Sequence, residues 1–214
     1  PALHKHAIER FKQWNSPFDG TYQEDAHECL VSIYDQLVPD TATAPGVLKS
    51  VVACPATRES STVKEPFHIL SLAVHDTLRE SLKVFRRVEK MSGPDAWISP
   101  KCEARKITPL CTTKRMDVER WPEKVVYFHF KRFCPHNLTK NDLAITIPQR
   151  FGDGFELVSF VVHMGSRTSR GHYLCCAKYD SGWYLCDDGT VSELDGNTLL
   201  HTYLPQAYIA TYVR

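Results

Sequence analysis

The residues with the most chemical potential lie near the C-terminal end, in Gly171-His172-Tyr173 and in Trp183-Tyr184-Leu185-Cys186-Asp187-Asp188. Tyr173 to Tyr179 alternates like a strand, Asp180-Ser181-Gly182 forms a tight turn, and Trp183 to Cys186 returns as the partner strand. His172 then starts one strand and Asp187 lies just past the end of its neighbour, at the same end of the hairpin. The turn alone leaves the register open. A histidine so placed can take a proton from a thiol at neutral pH. A carboxylate on its other ring nitrogen holds the tautomer and steadies the imidazolium. Gly165 to Gly171 is small and polar and reads as a loop that closes over a substrate. By itself the same trio also fits a surface-loop histidine beside strand-end acids.

The elements that must position these groups read as helices first and strands afterwards, an α+β pattern. Leu3, Ala7, Ile8, Phe11 and Trp14 follow helical spacing until Asn15, Ser16, Pro17 and Gly20 break it. A second helix is predicted from near Gln23 to Pro39, with Ala26, Cys29, Leu30, Ile33 and Leu37 on one stripe. Glu24, Asp25 and Glu28 suit the positive end of its dipole. Thr41 to Gly46 reads as a loop. Strands are predicted at Val47–Ala53, Phe67–Val74, Val125–Phe130, Leu143–Ile147, Leu157–His163, Tyr173–Lys178, Trp183–Cys186 and Ala207–Val213, forming an antiparallel sheet. Thr77 to Glu89 reads as one more helix.

Composition excludes several function classes. With 43% hydrophobic and 24% charged residues, the 214-residue chain is an ordinary globular sequence that can bury a core without disulfides or metals. A net charge of +1 gives no strong field toward nucleic acid or an acidic membrane. Apolar runs such as Val125 to Phe130 are too short to span a bilayer, and Pro1 to Lys12 has no secretory h-region. The eight cysteines, Cys29, Cys54, Cys102, Cys111, Cys134, Cys175, Cys176 and Cys186, are irregularly spaced. They read as free thiols of an intracellular protein, cytoplasmic or nuclear.

Three segments in series resemble the ubiquitin-specific protease family. Tyr22-Gln23-Glu24-Asp25-Ala26-His27-Glu28-Cys29-Leu30 is similar to its Gln/Glu-Asp-Ala-His/Gln-Glu-Phe-Leu helix start, with Cys29 in place of Phe. Val125 to Phe133 resembles its apolar strand ending in His-Leu-Lys-Arg-Phe, and Gly171-His172-Tyr173 with Trp183 to Val191 resembles its histidine box. The resemblance implies a papain-like fold of fingers, palm and thumb, with a helical thumb remnant at 1–40 and a fingers-and-palm sheet at 47–214. It implies His172 as general base, Asp187 as orienting acid and Asp188 as an assisting or substituting acid. Asp25, Glu28 and Tyr173 would line a channel for the arginine-bearing ubiquitin tail. Simple dipole compensation accounts equally for Asp25 and Glu28. His129, Lys131 and Arg132 read as a fold-determining strand end with ordinary surface bases.

The chain departs from the family at two places. No Gly-Asn-Thr-Cys-Tyr box precedes the Gln-Glu-Asp segment, so the nucleophile is expected upstream of residue 1 and the chain alone is expected to be inactive. The fingers' two Cys-x-x-Cys pairs are reduced to Cys54-Pro55-Ala56-Thr57 and Ser99-Pro100-Lys101-Cys102. Two thiols fall short of the four ligands of structural zinc, so no metal or other cofactor is expected. Ubiquitin or ubiquitinated proteins are the expected partners, through catalysis or through binding by a non-catalytic scaffold. A metal or nucleic-acid module on Cys54, Cys102, Arg105, Lys106, Lys114 and Arg115 is the weakest alternative, because acids interrupt the bases.

Overall fold

The computed structural model describes residues 24–37, 44–133, 139–167 and 170–214. The helix expected over Ala2 to Trp14, together with Gln23, Pro39 and Cys134, lies outside them. Helix α1, Ala26–Leu37, begins where the acidic segment ends. Asp25 is its cap, its Oδ1 accepting from the His27 and Glu28 amides at 2.7 and 3.3 Å.

Two sheets follow. The first runs in the order β2-β1-β5-β4, from β1 (Gly46–Cys54), β2 (Glu59–Phe67), β4 (Glu89–Met91) and β5 (Thr112–Arg120). The second runs β11-β10-β9-β8-β12-β6-β3. Its strands are β3 (Ile69–Ala73), β6 (Val125–Lys131), β8 (Phe155–Arg167), β9 (Arg170–Tyr179), β10 (Gly182–Asp187), β11 (Thr190–Leu194) and β12 (Ala207–Val213). The short β7, Arg150–Phe151, pairs with β8. The larger sheet carries the core on one face, with Leu70, Leu72, Val126, Phe128, Phe130, Phe160, Val162 and Cys176 buried. Helix α2, Leu78–Phe85, adds Leu78 and Leu82 to that core and is capped by the Thr77 hydroxyl accepting from the Glu80 amide.

The structure corrects several expectations. The strand expected over Phe67–Val74 breaks at His68, which separates β2 from β3. The sheet is not wholly antiparallel, because β3 pairs parallel to β6. Helix α2 stops at Phe85, and Glu89–Met91 instead pairs with β5. Sheet pairing overrides the helical pattern there. Leu143–Ile147 is no strand. Ile145 and Ile147 are buried as their alternation implies, but the segment makes only a single bridge, Thr146 to Thr77. The residues expected as the loop 165–171 largely extend β8 to Arg167 and begin β9 at Arg170. Strands β2 and β5 escape a pattern reading because much of both of their faces is exposed or half-buried, leaving no apolar alternation.

Arg132 is not a surface base. It is 1% exposed, and its guanidinium donates to four carbonyls. Nε reaches Ala207 O at 2.8 Å, Nη1 reaches Asn141 O and Leu143 O at 3.0 and 2.9 Å, and Nη2 reaches Pro205 O at 2.9 Å. Burial lowers its pKa to about 10, which leaves it charged at neutral pH. One planar fork thus holds the strandless 141–143 segment against the start of β12. Arg132→Met removes the guanidinium donors of four carbonyls, of which Pro205 O keeps the Ile145 amide, and is expected to cost about 3 kcal/mol or more. Denaturant unfolding should show a lower midpoint with unchanged slope, and Arg132→Lys, which lacks the fork, should recover less than half.

Candidate active site

The hairpin of β9 and β10 places the proposed base and acid. Gly182 pairs with Tyr179 across the two-residue turn, in which Asp180 takes a left-handed φ of 51°. The register then runs to Cys186 opposite Cys175. Continued by one residue, it sets Asp187 across from Leu174. His172 lies two residues along on the same face, a diagonal neighbour within side-chain reach. The contact forms: His172 Nε2 and Asp187 Oδ1 are 2.6 Å apart. Both side chains are about half exposed, at 46% and 49%. Asp188 sits in the left-handed turn to β11, with φ 47°. Its carboxylate, that of Asp187 and the His172 ring lie mutually within 4.8 Å.

The hydrogen bond that His172 donates to Asp187 raises its pKa above the ordinary 6.5, against desolvation and with further help from the charges of Asp187 and Asp188. Charged His172 therefore favours the folded state. That contribution is complete below the ordinary value and is lost as pH rises through the raised one. Among the described residues Nδ1 of His172 makes no hydrogen bond, so one ring nitrogen is oriented and the other is open to a reacting group.

Two glycines let β8 and β9 close behind this histidine. A Cβ on Gly171 would lie 2.0 Å from Nε2 of His163, and one on Gly165 would lie 2.7 Å from the Arg170 carbonyl. His163 is 2% exposed and fills the space between them, so the Gly in Gly-His-Tyr answers to a ring packed against its backbone.

Tyr173 turns to the opposite face of β9 and meets helix α1. Its hydroxyl donates to Asp25 Oδ2 at 3.3 Å, and Tyr208 donates to the same oxygen at 2.6 Å. Tyr208 is the extra residue of a β-bulge, where Ala207 and Ile209 pair with the consecutive Val162 and Val161. The bulge re-aims its ring toward His129, centroids 4.9 Å apart. His129 also stacks on His27 at 3.7 Å and binds the Ser71 hydroxyl at 2.9 Å. Burial holds His129 down to about 3, so it is neutral at physiological pH, and burial pushes both tyrosines well up. Asp25 thus accepts four hydrogen bonds and pins α1 to the sheet. Glu28, exposed one turn on, keeps its carboxylate toward solvent.

The six residues singled out in the sequence therefore form two groups, His172 with Asp187 and Asp188, and Asp25 with Tyr173 and the adjacent Glu28. Tyr208 and His163 have no site role in the sequence reading, His27 appears there only within the helix-start motif, and His129 only as a strand-end base, which its burial corrects. Only a bulge and ring stacking bring them in, and neither leaves a spacing in the sequence.

The ubiquitin carboxyl-terminal hydrolase family model matches residues 4–212. The chain belongs to this family. Among family members, "Probable ubiquitin carboxyl-terminal hydrolase 16" of Schizosaccharomyces pombe is 27% identical over 94% of this chain and 49% of its own length. Human ubiquitin carboxyl-terminal hydrolase 3 is 26% identical over 88% of this chain and 41% of its own length. The chain thus spans about half the length of the curated relatives it matches. A chain of the SAGA DUB module Ubp8/Sgf11/Sus1/Sgf73 bound to monoubiquitin superposes with a TM-score of 0.76 at 26% identity, covering 95% of this chain and 51% of that one. The fold is the α+β, papain-like hydrolase fold of the family, seen among the described residues in two sheets and one long helix.

The pair makes a direct prediction. In an NMR titration of the imidazole, the His172 midpoint should lie above 6.5 and fall back toward it in Asp187→Asn.

Proposed function

We propose that this chain is the base-bearing, ubiquitin-facing part of a cysteine deubiquitinase that hydrolyses the isopeptide or peptide bond after the ubiquitin C-terminus. The observation that carries this reading is the 2.6 Å contact between His172 Nε2 and Asp187, which leaves Nδ1 open for a thiol. Family membership and the likeness to a chain of a ubiquitin-bound module support it.

In this reading Nδ1 takes the proton of a cysteine thiol, and the sulfur attacks the scissile carbonyl. The imidazolium returns the proton to the leaving amine, and the same nitrogen then activates water against the thioester. Asp187 keeps the ring oriented and stabilises its charged form, and Asp188 adds negative potential beside it. The nucleophile is assigned to a segment beyond these 214 residues, and the chain alone is inactive. Glu28 receives a guanidinium of the substrate tail, while Asp25 and Tyr173, bonded to each other, form the fixed wall of that channel. The four-stranded sheet is the fingers, the larger sheet the palm, and α1 belongs to the thumb. Ubiquitin and ubiquitinated proteins are the partners, without nucleic acid or membrane, in a cytoplasmic or nuclear setting. Among the described residues no helix is long and apolar enough to cross a membrane.

The second reading, a ubiquitin-binding protein without catalysis, draws on the two lost cysteine positions of the fingers. A ubiquitin bearing a C-terminal electrophile separates the two when the chain is joined to its nucleophile-bearing segment. Covalent labelling is expected, with the rate falling at least about 100-fold in His172→Ala while ubiquitin binding is retained. Binding without any labelling of the unmutated protein would establish the second reading. Labelling indifferent to His172→Ala would remove the assignment of the base.

A further inference from the structure

The tip of the four-stranded sheet gathers four residues that the active site does not use. Cys54 ends β1, Thr57 lies in the turn to β2, and Ser99 caps the short helix α3, Pro100–Ala104, in which Cys102 is the third residue. The sulfurs of Cys54 and Cys102 are 3.5 Å apart, and the hydroxyls of Thr57 and Ser99 are 2.9 Å apart. The four positions of two Cys-x-x-Cys pairs therefore converge, but two are hydroxyls bonded to each other. No third His, Cys, Asp or Glu ligand joins the two thiols among the described residues. A closed tetrahedral zinc site has no donors to complete it. What remains is a pair of facing thiols, 48 positions apart in sequence.

We propose that Cys54 and Cys102 are a reversible dithiol–disulfide pair that locks the tip of this sheet under peroxide. The side-chain hydroxyl of Thr57, the Thr57 amide, the Cys102 thiol and the Ala56 amide stabilise the Cys54 thiolate, against modest desolvation. They hold this thiol down to about 7, so Cys54 is the attacking group. Its thiolate attacks one oxygen of hydrogen peroxide, the O–O bond breaks, and the departing hydroxide takes a proton to become water. The sulfenic acid left on Cys54 is then attacked by the sulfur of Cys102. The S–O bond breaks, and the departing oxygen leaves as water with the Cys102 proton. Two thiols and one peroxide give one disulfide and two waters, the two electrons passing from sulfur to oxygen. A thiol reductant reverses the step through a mixed disulfide.

The geometry suits this chemistry. The sulfurs have only to close from 3.5 Å to about 2.05 Å. Both residues are buried, at 1% and 0% exposure, but Pro55, Ala56 and Arg58 above them are exposed. In this proposal peroxide reaches Cys54 by displacing that exposed turn. Cys175 and Cys186, which face each other across β9 and β10, provide an internal comparison. Burial pushes the Cys175 thiol up to about 11, so Cys175 lacks a ready thiolate.

The test is peroxide treatment of the intact chain at neutral pH, followed by unfolding, alkylation and peptide mapping. The expected product has lost two hydrogens, joins the peptides carrying Cys54 and Cys102, and returns to the starting mass with dithiothreitol. It should form at least about tenfold faster than any product at Cys175. In Cys102→Ser, dimedone should trap a sulfenic acid on Cys54. Full alkylation of both cysteines after peroxide, or stoichiometric zinc that protects both in the purified protein, would overturn the proposal.

Discussion

The register of β9 against β10 is the constraint on which the proposed active site rests. Side chains alternate across a strand, so a slip of one residue would send Asp187 to the face opposite His172. Two devices hold the register. The turn at Asp180 and Ser181 closes the hairpin with Gly182 opposite Tyr179. The buried partners Leu174 and Cys176 face the core that Phe160 and Val162 complete. The histidine and aspartate are exposed, but the strand carrying the histidine is anchored two residues further in, at Leu174. An exposed ion pair is worth little by itself. Its geometry here comes from apolar burial elsewhere on the same strands.

Around this hairpin, buried polar groups do the joining that apolar contacts cannot specify. Asp25 gathers two helix amides and two tyrosine hydroxyls, so α1 has a defined depth and rotation on the sheet. Arg132 gathers four carbonyls, two from the strandless 141–143 segment, one from Pro205 and one from the first residue of β12. Each is surrounded by complementary atoms, which is the condition for a buried charge to hold a structure together rather than weaken it. Tyr173 links the two regions. It follows His172 in sequence, and its hydroxyl reaches the helix cap. The orientation of His172 and the docking of α1 are thereby features of one strand.

The smaller sheet is built differently. Its strands depend on pairing along their length: β2 and β5 are largely polar, the apolar residues of β1 are mostly half-buried, and Cys54 and Phe67 at the ends are among its few buried residues. Such a sheet has little core of its own, which makes a closed cluster at its tip structurally significant. The same sparse core hid β2 and β5 from a pattern reading.

The amino-acid sequence by itself determined the hairpin, the histidine and acids at one end of it, the capped helix, and membership of a family through three separated segments. Each depends on neighbours in the chain: alternation, a turn, a capping carboxylate. Strand β12 shows the limit of that information. Its bounds, Ala207–Val213, could be read from the residues alone, but the bulge that turns Tyr208 toward Asp25 could not, because it arises from pairing with β8. Tertiary structure alone decided that Arg132 is buried, that Leu143–Ile147 has no partner strand, and that Asp25 serves as a joint. It also decided that Cys54 meets Cys102. These outcomes hinge on which distant groups supply hydrogen bonds and cover, and local spacing carries no record of them.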